Sequence, residues 1–323
     1  MNSRKQKMTN EIKRKAIELG FSKIGIARSE SLGKESSQLQ EWLALGYHAT
    51  MSWMERNVDK RADPELILPN AKSVIVIAMN YYTPVEHGDN DKTGKISRYA
   101  WGDDYHEVLH QRLEQLLDYI KQQEATTIGK VYVDTGPVME KIWAQRAGIG
   151  WEGKHTNVIT KEYGSWVFLG VIILNIELEF DQPAIDHCGT CTLCIEACPT
   201  QAIIEPYVLD SNLCISYLTI EHRGEIATEL GKKFDQWIYG CDICQDVCPW
   251  NQKFESPSLI KEFYPREFNI TPNLASFMEM SKKEYEESYK KSPMKRTKYE
   301  GLQRNAVIAL EKSEVILSEF TNE

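Results

Sequence analysis

The cysteines of this chain are confined to one short segment, and their spacing constrains what that segment can bind. They are, in order, Cys188, Cys191, Cys194, Cys198, Cys214, Cys241, Cys244 and Cys248, which is the full complement of eight. The first four have the spacing C-x2-C-x2-C-x3-C-P, and the last three read C-x2-C-x3-C-P. Three thiolates on a tight turn, with a fourth from elsewhere, suit a [4Fe-4S] cluster. The pattern therefore predicts two such clusters.

The order of the cysteines also suggests which of them share a cluster. In two-cluster ferredoxins the last cysteine of each run ligates the other cluster. By that rule, one cluster is held by Cys188, Cys191, Cys194 and Cys248. The other cluster is held by Cys198, Cys214, Cys241 and Cys244. The second run lacks a middle cysteine, and we expect the lone Cys214 to take that ligand position.

Disulfide bonds and zinc sites are the main alternatives for such a segment. The N-terminal residues are polar and basic, without the apolar stretch of a secretory signal, and no run of about 18 apolar residues occurs. We therefore expect a cytoplasmic protein without a membrane span, in a compartment where disulfides are rare. Zinc sites usually lack the x3-Cys-Pro extension that is present twice here. Iron-sulfur clusters are the better prediction.

The length of the chain indicates that the clusters serve a larger protein. About 180 of the 323 residues precede the first cysteine, more than a ferredoxin needs. We expect an α+β domain over residues 1–180, a ferredoxin-like domain with both clusters over 181–255, and a helical region over 256–323. The net charge of -9 argues against a surface that coats nucleic acid generally. Residues 290–304 nevertheless form a local basic patch.

Hydrophobic periodicity predicts the elements of the first domain. The apolar run Ser73–Met79 predicts a buried central strand. Helices are predicted over residues 9–20, 35–46 and 103–123, and strands over 23–27 and 130–134. Pro137 is predicted to open a helix that runs to about Ala147. Residues 157–160 and 165–174 are predicted to pair as strands around a tight turn.

A glycine-rich segment superficially resembles a dinucleotide-binding motif. Gly148, Gly150 and Gly153 match G-x-G-x-x-G. A dinucleotide site needs these glycines between a strand and a helix, whereas here they follow a predicted helix. We interpret them as a helix cap and turn.

Taken together, the motifs of the chain resemble those of the epoxyqueuosine reductases, which are cobalamin-dependent iron-sulfur enzymes of tRNA modification. Beyond the cysteines, the resemblance is carried by LILPNAKSVIVIAMNYY (66–82), SRYAWGDDYH (97–106), VDTGP (133–137), RAGIGWEGKHTNVIT (146–160), EYGSWVFLG (162–170), CISYLT (214–219), YGCDICQDVCPWN (239–251) and QRNAVIAL (303–310). It implies a first domain like those of reductive dehalogenases and cobalamin-processing proteins. It also implies reduction of epoxyqueuosine to queuosine at the wobble position of tRNA, with cob(I)alamin as the nucleophile or reductant and the two clusters supplying its electrons.

The resemblance also assigns a proton donor, because the epoxide oxygen leaves as a hydroxyl or water. The family uses the aspartate at the position of Asp134 in this role. Alternatively, Asp134 only caps a helix beginning at Pro137, and His106 is the alternative donor. A donor at neutral pH needs a raised pKa, so we expect desolvation under the bound corrin to outweigh the lowering effect of a helix N-terminus on the pKa of Asp134.

Cobalamin and tRNA contacts follow from the same resemblance. The expected corrin contacts are Arg61, Ser97, Asp134, Val158, Leu169, Ser216 and Asp242. The D-x-H-x-x-G motif of histidine-ligated cobalamin is absent from the sequence, so we expect a base-off cofactor with a vacant or water-occupied lower face. The expected tRNA contacts are Arg223, Lys290, Lys291, Lys295, Arg296, Lys298 and Arg304, although the patch is alternatively a solvated loop. Because the chain ends soon after residues 303–310, we expect a small tRNA interface.

Two other functions stay open at this point. One is a related cobalamin iron-sulfur reductase, similar to a reductive dehalogenase, and the other is an electron-transfer iron-sulfur protein without its own reaction. A bound corrin together with tRNA binding would distinguish an epoxyqueuosine reductase from both of these alternatives. In every case we expect an external low-potential electron donor and a monomer.

Overall fold

The computed structural model describes residues 4–88 and 90–320, with side chains described as far as Glu311. The first and last expected regions thus include residues 1–3 and 321–323, which lie outside the described residues. The strands are β1 (Lys23–Arg28), β2 (Ser73–Asn80), β3 (Lys95–Ile96), β4 (Gly129–Tyr132), β5 (Trp151–Glu152), β6 (Val158–Ile159), β7 (Val167–Leu174), β8 (Ile203–Glu205), β9 (Val208–Leu209) and β10 (Trp237–Tyr239).

The helices fall into an N-terminal, a cysteine-rich and a C-terminal group. They are α1 (Arg4–Glu18), α2 (Gly33–Ala44), α3 (Val58–Ala62), α4 (Tyr105–Gln123), α5 (Glu140–Arg146), α6 (Leu193–Glu196), α7 (Ile215–Ile220), α8 (Thr228–Gly231), α9 (Ile243–Asp246), α10 (Pro249–Lys253), α11 (Glu267–Ile270), α12 (Leu274–Glu279), α13 (Lys282–Tyr289) and α14 (Lys298–Phe320). Short 3-10 helices cover Ser52–Met54, Pro64–Leu66, Arg98–Ala100, Lys261–Phe263 and Pro293–Thr297. None of the helices within the described ranges is long and apolar enough to cross a membrane.

A four-stranded antiparallel sheet in the order β1-β2-β7-β4 forms the centre of the first domain. Strand β2 lies between β1 and β7, and every one of its residues is buried. Alternate side chains of a strand point to opposite faces, so Ile75 and Ile77 pack against α1 and α4, while Val74 and Val76 pack against α5. The prediction of a buried central strand is confirmed, and so is the α+β architecture.

Most of the other predicted elements are confirmed to within a few residues, but two local predictions are wrong. Residues 157–160 do not form a hairpin with 165–174, because β6 pairs with β5 and only a Thr160–Gly164 bridge remains. The apolar strand β7 instead lies between β2 and β4, where both of its edges are paired. The helix predicted from Pro137 begins at Glu140, since the carboxylate of Glu140 accepts the backbone N–H of Asp134, at 2.7 Å, across the intervening loop.

The glycine segment after α5 has the structure expected of a cap and turn. Gly148 has a φ of 74°, in the left-handed region where a side chain is disfavoured. Its backbone N–H donates to the carbonyl of Gln145 at 3.1 Å, and β5 follows at Trp151. The interpretation of these glycines as a helix cap is confirmed.

The cysteine-rich and C-terminal regions are tied to the first domain. Strand β10 pairs in parallel with β3, which crosses from one region to the other. Helices α12 and α14 share a core with Ile96 and Trp101 of the first domain and with Tyr239 of β10. These contacts tie the cysteine-rich and C-terminal regions to the first domain through β3 and the residues that follow it.

Candidate functional site

A cavity of about 390 Å³ lies between the sheet of the first domain and the cysteine-rich region. We call it the central cavity. Val158 of β6 and Leu169 of β7 line one side, and Ser216 of α7 lines the other. Ser97 and Tyr105 also contribute to its wall. Of the expected corrin contacts, Ser97, Val158, Leu169 and Ser216 therefore face one shared space.

The eight thiols separate into two groups around this cavity. One group, Cys198, Cys214, Cys241 and Cys244, lines the central cavity with all four members. In the other group, Cys188 and Cys248 pack together with Trp151, Ile159 and Trp250, away from that wall. The lone Cys214 thus lies with the second run, in contact with the same hydrophobic cluster as Cys241. Cys214 and Cys248 have the same local geometry, because both lie in extended conformation at the N-caps of α7 and α10.

The thiols also shift the pKa values of one another. Burial, followed by the neighbouring thiols of Cys248, Cys188 and Cys191, raises the pKa of Cys194 to about 11. Burial also raises the pKa of Cys244, with the thiols of Cys214, Cys194 and Cys198 adding to the effect. A thiol with a raised pKa stays protonated at neutral pH unless a metal binds to the sulfur and displaces the proton. Among the side chains that the structure describes, no three from His, Cys, Asp or Glu converge on the position of a single metal ion.

Asp134 lies beside the central cavity and is held in an uncommon backbone conformation. Its φ is 57°, in the left-handed region that Asp and Asn tolerate better than other side chains. The hydroxyl of Tyr105, which lines the cavity, donates to its Oδ2 at 3.1 Å. The side chain is 63% exposed. Asp134 does not cap α5, because that helix begins six residues later.

His106 joins Asp134 to a second carboxylate. Its Nε2 lies 3.2 Å from Oδ2 of Asp134, and its Nδ1 lies 2.7 Å from Oδ1 of Asp104. Asp104 is buried, caps α4 through the backbone N–H of His106, and also accepts an ion pair from Lys295 at 2.7 Å. The ring of His106 stacks on that of Tyr105, with centroids 4.0 Å apart. The contacts with Asp104, Asp134 and Tyr105 together hold the imidazole in one orientation.

Contacts within this cluster shift the pKa values of Asp134, His106 and Glu140. Burial acts to raise the pKa of Asp134, but the hydrogen bond and charge of His106 outweigh it and the net pKa is lowered. Conversely, burial acts to lower the pKa of His106, and the bonds to Asp104 and Asp134 raise it to about 9. Burial raises the pKa of Glu140 well above its usual value, and the nearby charge of Asp134 raises it further. At neutral pH the shared proton therefore resides on His106 rather than on Asp134.

The remaining two expected corrin contacts, Asp242 and Arg61, do not line the central cavity. Asp242 is fully buried and accepts hydrogen bonds from Oγ of Ser97 and, at 2.8 Å, from the backbone N–H of Arg98. It therefore fixes Ser97 in the cavity wall. Arg61 donates to the carbonyl of Trp53 at 3.4 Å, and its Nε is buried without a partner among the described residues. Burial lowers the pKa of Arg61, and the charge of Asp134 opposes that effect.

The expected tRNA contacts differ in how far their side chains are already engaged. The guanidinium of Arg304 donates to the carbonyls of Leu218, His222 and Gly224. That of Arg223 donates to the carbonyls of Ile220 and Arg296. Lys295 pairs with Asp104, and Arg296 pairs with Glu221 at 2.8 Å. Lys290, Lys291 and Lys298 are exposed on the same surface.

Sequence reasoning missed several residues of this site. Tyr105 was hidden by its position in an amphipathic helix, although it directly precedes His106. Glu140 is separated from Asp134 by a loop, and nothing in the sequence relates the two residues. Arg98 binds both Asp242 and Asp246. The sequence could have pointed to Tyr105 and Arg98 as site residues, because both lie within the motif SRYAWGDDYH. It could not have pointed to Glu140.

Comparisons with known proteins agree with this geometry. The family model described as "Epoxyqueuosine reductase QueG, DUF1730" matches residues 61–135, and the "4Fe-4S double cluster binding domain" model matches residues 187–251. An epoxyqueuosine reductase from Synechocystis sp. is 49% identical over 286 residues, which are 88% of this chain and 98% of that protein.

Solved structures are similar over the same extent. The structure of an epoxyqueuosine reductase with a tRNA-Tyr epoxyqueuosine-modified stem loop has a TM-score of 0.90 and 34% identity, and the match covers 95% of this chain and 82% of that one. The epoxyqueuosine reductase from Bacillus subtilis, with its own Asp134 catalytic loop swung out of the active site, has a TM-score of 0.89 and 33% identity, covering 98% and 84%. The protein therefore belongs to the epoxyqueuosine reductase family of oxidoreductases.

Proposed function

We propose that this protein reduces epoxyqueuosine to queuosine at the wobble position of tRNA, with cobalamin bound in the central cavity and two [4Fe-4S] clusters on the eight cysteines. One observation carries the proposal. The central cavity has the thiols of Cys198, Cys214, Cys241 and Cys244 on one side and, through Tyr105, the Asp134–His106 pair on the other. A reductant held there lies between a source of electrons and a source of protons.

The residues around the cavity suit a corrin. Val158, Leu169 and Ile215 offer apolar surface for the flat macrocycle, and hydroxyls such as that of Ser216 can bind its amide side chains. The imidazole of His155 also lines the cavity. Its Nδ1 accepts the backbone N–H of Asn157 at 3.1 Å, so Nε2 carries the ring proton and has no lone pair for cobalt. This tautomer supports the expected base-off cofactor without a histidine ligand.

The two groups of thiols support an order for electron transfer. Cys198, Cys214, Cys241 and Cys244 would hold the cluster next to the corrin, and Cys188, Cys191, Cys194 and Cys248 the cluster farther away. Electrons from an external low-potential donor would enter at the far cluster and pass through the near one. When bound, cobalamin supplies a reducible cobalt that can act on the epoxide.

The reaction consumes two electrons and two protons, because the epoxide oxygen leaves as water and a carbon–carbon double bond forms. Asp134 is the group that faces the cavity through Tyr105, and His106 holds the proton at rest. We therefore assign proton delivery to the pair, with Asp134 passing on the proton that His106 stores. The second proton comes from solvent, to which Asp134 is open.

A tRNA substrate accounts for the basic surface beside the site. Lys290, Lys291 and Lys298 are exposed and suit phosphate contacts, which are salt-sensitive and need no generally basic protein. Lys295 and Arg296 lie between these lysines and the Asp134 cluster, already paired with Asp104 and Glu221. Arg223 would act indirectly, by holding the carbonyls of Arg296 and Thr297 next to Lys298, and Arg304 by holding residues 218–224, which include Arg223.

The test is turnover of epoxyqueuosine in tRNA by anaerobically purified protein with reconstituted clusters and added cobalamin. Asp134→Asn keeps a residue that tolerates the left-handed conformation, and Asp118→Asn, on the exposed face of α4, is the matched control. We expect Asp134→Asn to bind cobalamin normally, as judged by its absorption spectrum, and to lose at least 100-fold in turnover, about the size of a general-acid contribution. Full activity of Asp134→Asn removes Asp134 from the mechanism, and an inactive wild type with intact clusters overturns the proposed reaction.

A further inference from the structure

Lys154 is a buried cation beside the cysteine segment, and it is used by none of the chemistry described so far. It lies in the turn between β5 and β6 and is only 9% exposed. Its Nζ donates to the carbonyl of Gly189 at 2.7 Å and to that of Cys191 at 2.8 Å. Gly189 directly follows Cys188. The ammonium group is therefore anchored inside the loop that carries the first two ligands of the far cluster.

The counter-charge of Lys154 is not a carboxylate among the residues that the structure describes, because both hydrogen bonds of its Nζ go to backbone carbonyls. Asp186 interacts with its charge only at longer range. That carboxylate is exposed, and it accepts the hydroxyl of Tyr207 and, at 2.7 Å, the backbone N–H of Cys188. Burial of a cation without a paired anion is unfavourable. The far cluster would supply the anion, because four thiolate ligands give it a net negative charge.

The same turn brings two N–H groups to the sulfur of Cys188. Burial raises the pKa of this thiol, whereas the backbone N–H of Lys154 and the indole of Trp151 act to lower it. Nε1 of Trp151 is buried and has no hydrogen-bond partner of ordinary geometry among the described residues. A thiolate is a stronger acceptor than a thiol, so both N–H groups suit the ligand form of Cys188. One turn of the first domain thus presents a cation and two N–H groups to the far cluster.

The near cluster has a charge of the opposite sign beside its ligands. Burial, neighbouring thiols and then the charge of Asp242 raise the pKa values of Cys241 and Cys244. Arg98 pairs with Asp242 at 3.4 Å and offsets part of that charge. Reduction adds negative charge to a cluster, so a nearby cation favours reduction and a nearby anion opposes it. The two surroundings therefore separate the reduction potentials of the two clusters.

We propose that Lys154 raises the reduction potential of the far cluster, so that this cluster takes up an electron before the near cluster does. The step is a one-electron reduction of [4Fe-4S]²⁺ to [4Fe-4S]⁺ by the external low-potential donor, in which no bond forms and no proton is taken up. The near cluster keeps the lower potential, so its electron is the stronger reductant for the cobalt. This inference rests on the proposed function, because it requires both clusters.

The test is an anaerobic redox titration of the full-length protein with both clusters reconstituted, monitored by electron paramagnetic resonance. The signal that is lost in Cys248→Ala belongs to the far cluster, and the signal that is lost in Cys214→Ala belongs to the near cluster. We expect the far cluster of the wild type to be reduced at the higher potential. Lys154→Gln keeps a side-chain donor for the loop but removes the charge. At a fixed potential it should lower the ratio of reduced to oxidised far cluster at least tenfold, which is about 59 mV for a one-electron couple.

Three further variants separate the charge of Lys154 from a structural role. Lys154→Arg keeps the charge and should retain the wild-type potential of the far cluster. Trp151→Phe keeps an aromatic ring but removes one N–H group, and it should lower the potential of the far cluster by a smaller amount. Lys161→Gln, at an exposed lysine just after β6, should shift neither cluster.

Three results would overturn the inference. They are an unchanged potential of the far cluster in Lys154→Gln, an equal shift of both clusters in that variant, and a wild-type far cluster that is reduced after the near one. If Lys154→Gln does not retain the far cluster, Lys154→Arg decides, because a wild-type potential there supports the role of the charge and a lowered potential contradicts it. Failure of the wild type to hold two clusters counts against the proposed function itself.

Discussion

His106 and Asp134 are joined by a hydrogen bond, with Nε2 of the imidazole 3.2 Å from Oδ2 of the carboxylate. The other ring nitrogen contacts Asp104 at 2.7 Å, so one imidazole lies between two carboxylates. This arrangement stabilises the imidazolium form, and the pKa of His106 is raised to about 9. Two properties of the protein should depend on that proton.

The first prediction is a loss of turnover at alkaline pH. His106 holds its proton below about pH 9 and loses it above, so turnover should fall as the pH rises through about 9. His106→Asn removes the stored proton and should lower turnover by about 10- to 100-fold. The fall in turnover through about pH 9 should be absent in this variant. His110→Asn, one turn later on α4 and exposed, is the control. A pH-rate profile of His106→Asn that matches the wild type would exclude His106 from proton delivery.

The second prediction concerns stability. The folded-state pKa of His106 is above its usual value of 6.5, so the protonated imidazole stabilises the fold fully below about pH 6.5. That contribution should be lost as the pH rises from about 6.5 through 9. The difference in melting temperature between the wild type and His106→Asn should therefore shrink over this range. A difference that stays constant from pH 6 to 10 would contradict the prediction.

The third prediction separates the two groups of cysteines. Cys214→Ala and Cys248→Ala should each remove one cluster, and each variant should retain about half of the iron of the wild type. Cys214 lines the central cavity and Cys248 does not. Loss of Cys214 should therefore also change the absorption spectrum of added cobalamin, whereas loss of Cys248 should leave it unchanged. If both variants perturb that spectrum equally, the assignment of a near and a far cluster is wrong.

The fourth prediction concerns a buried polar network between the two regions. Oδ1 of Asn251 accepts the backbone N–H of Ser165 at 2.6 Å, and its Nδ2 donates to the carbonyl of Gln245 at 2.7 Å. Asn251 is 1% exposed, so Asn251→Leu leaves the backbone N–H of Ser165 buried without a hydrogen bond, at a cost of about 1–3 kcal/mol. The carbonyl of Gln245 loses one of its two hydrogen bonds and keeps the one from the backbone N–H of Cys248. The melting temperature should fall by several degrees, and that of Asn212→Leu, at an exposed site, should not.

The fifth prediction distinguishes the basic residues by their contacts. Replacing both Lys290 and Lys291 with Gln should weaken stem-loop binding and reduce the salt dependence of the affinity by about one to two ion equivalents. Replacing Lys282 and Lys283, which are also exposed, should have little effect. Arg304→Gln should instead lower the melting temperature, because its guanidinium donates to carbonyls of the preceding region. A normal melting temperature for Arg304→Gln would show that these bonds are dispensable.

The sequence by itself determined the features that depend on neighbours along the chain. The two cysteine runs predicted a double-cluster domain because closely spaced cysteines in each run can ligate one cluster while the Cys-Pro that ends the run ligates the other. The uninterrupted apolar residues of Ser73–Met79 predicted a strand buried on both faces, since neither face tolerates water. Motif by motif, the sequence also indicated the family.

The tertiary structure decided the features that depend on neighbours in space. The pKa of Asp134 is lowered by His106, which lies 28 positions earlier in the chain and reaches it only through the fold. Trp53, Glu221 and Arg296 likewise come together from three separate regions, with Arg296 over the ring of Trp53 and paired with Glu221. Hydrogen-bond geometry, burial and electrostatic interaction act through space over a few ångströms, so their effects on a side chain become visible only when the fold has assembled its partners.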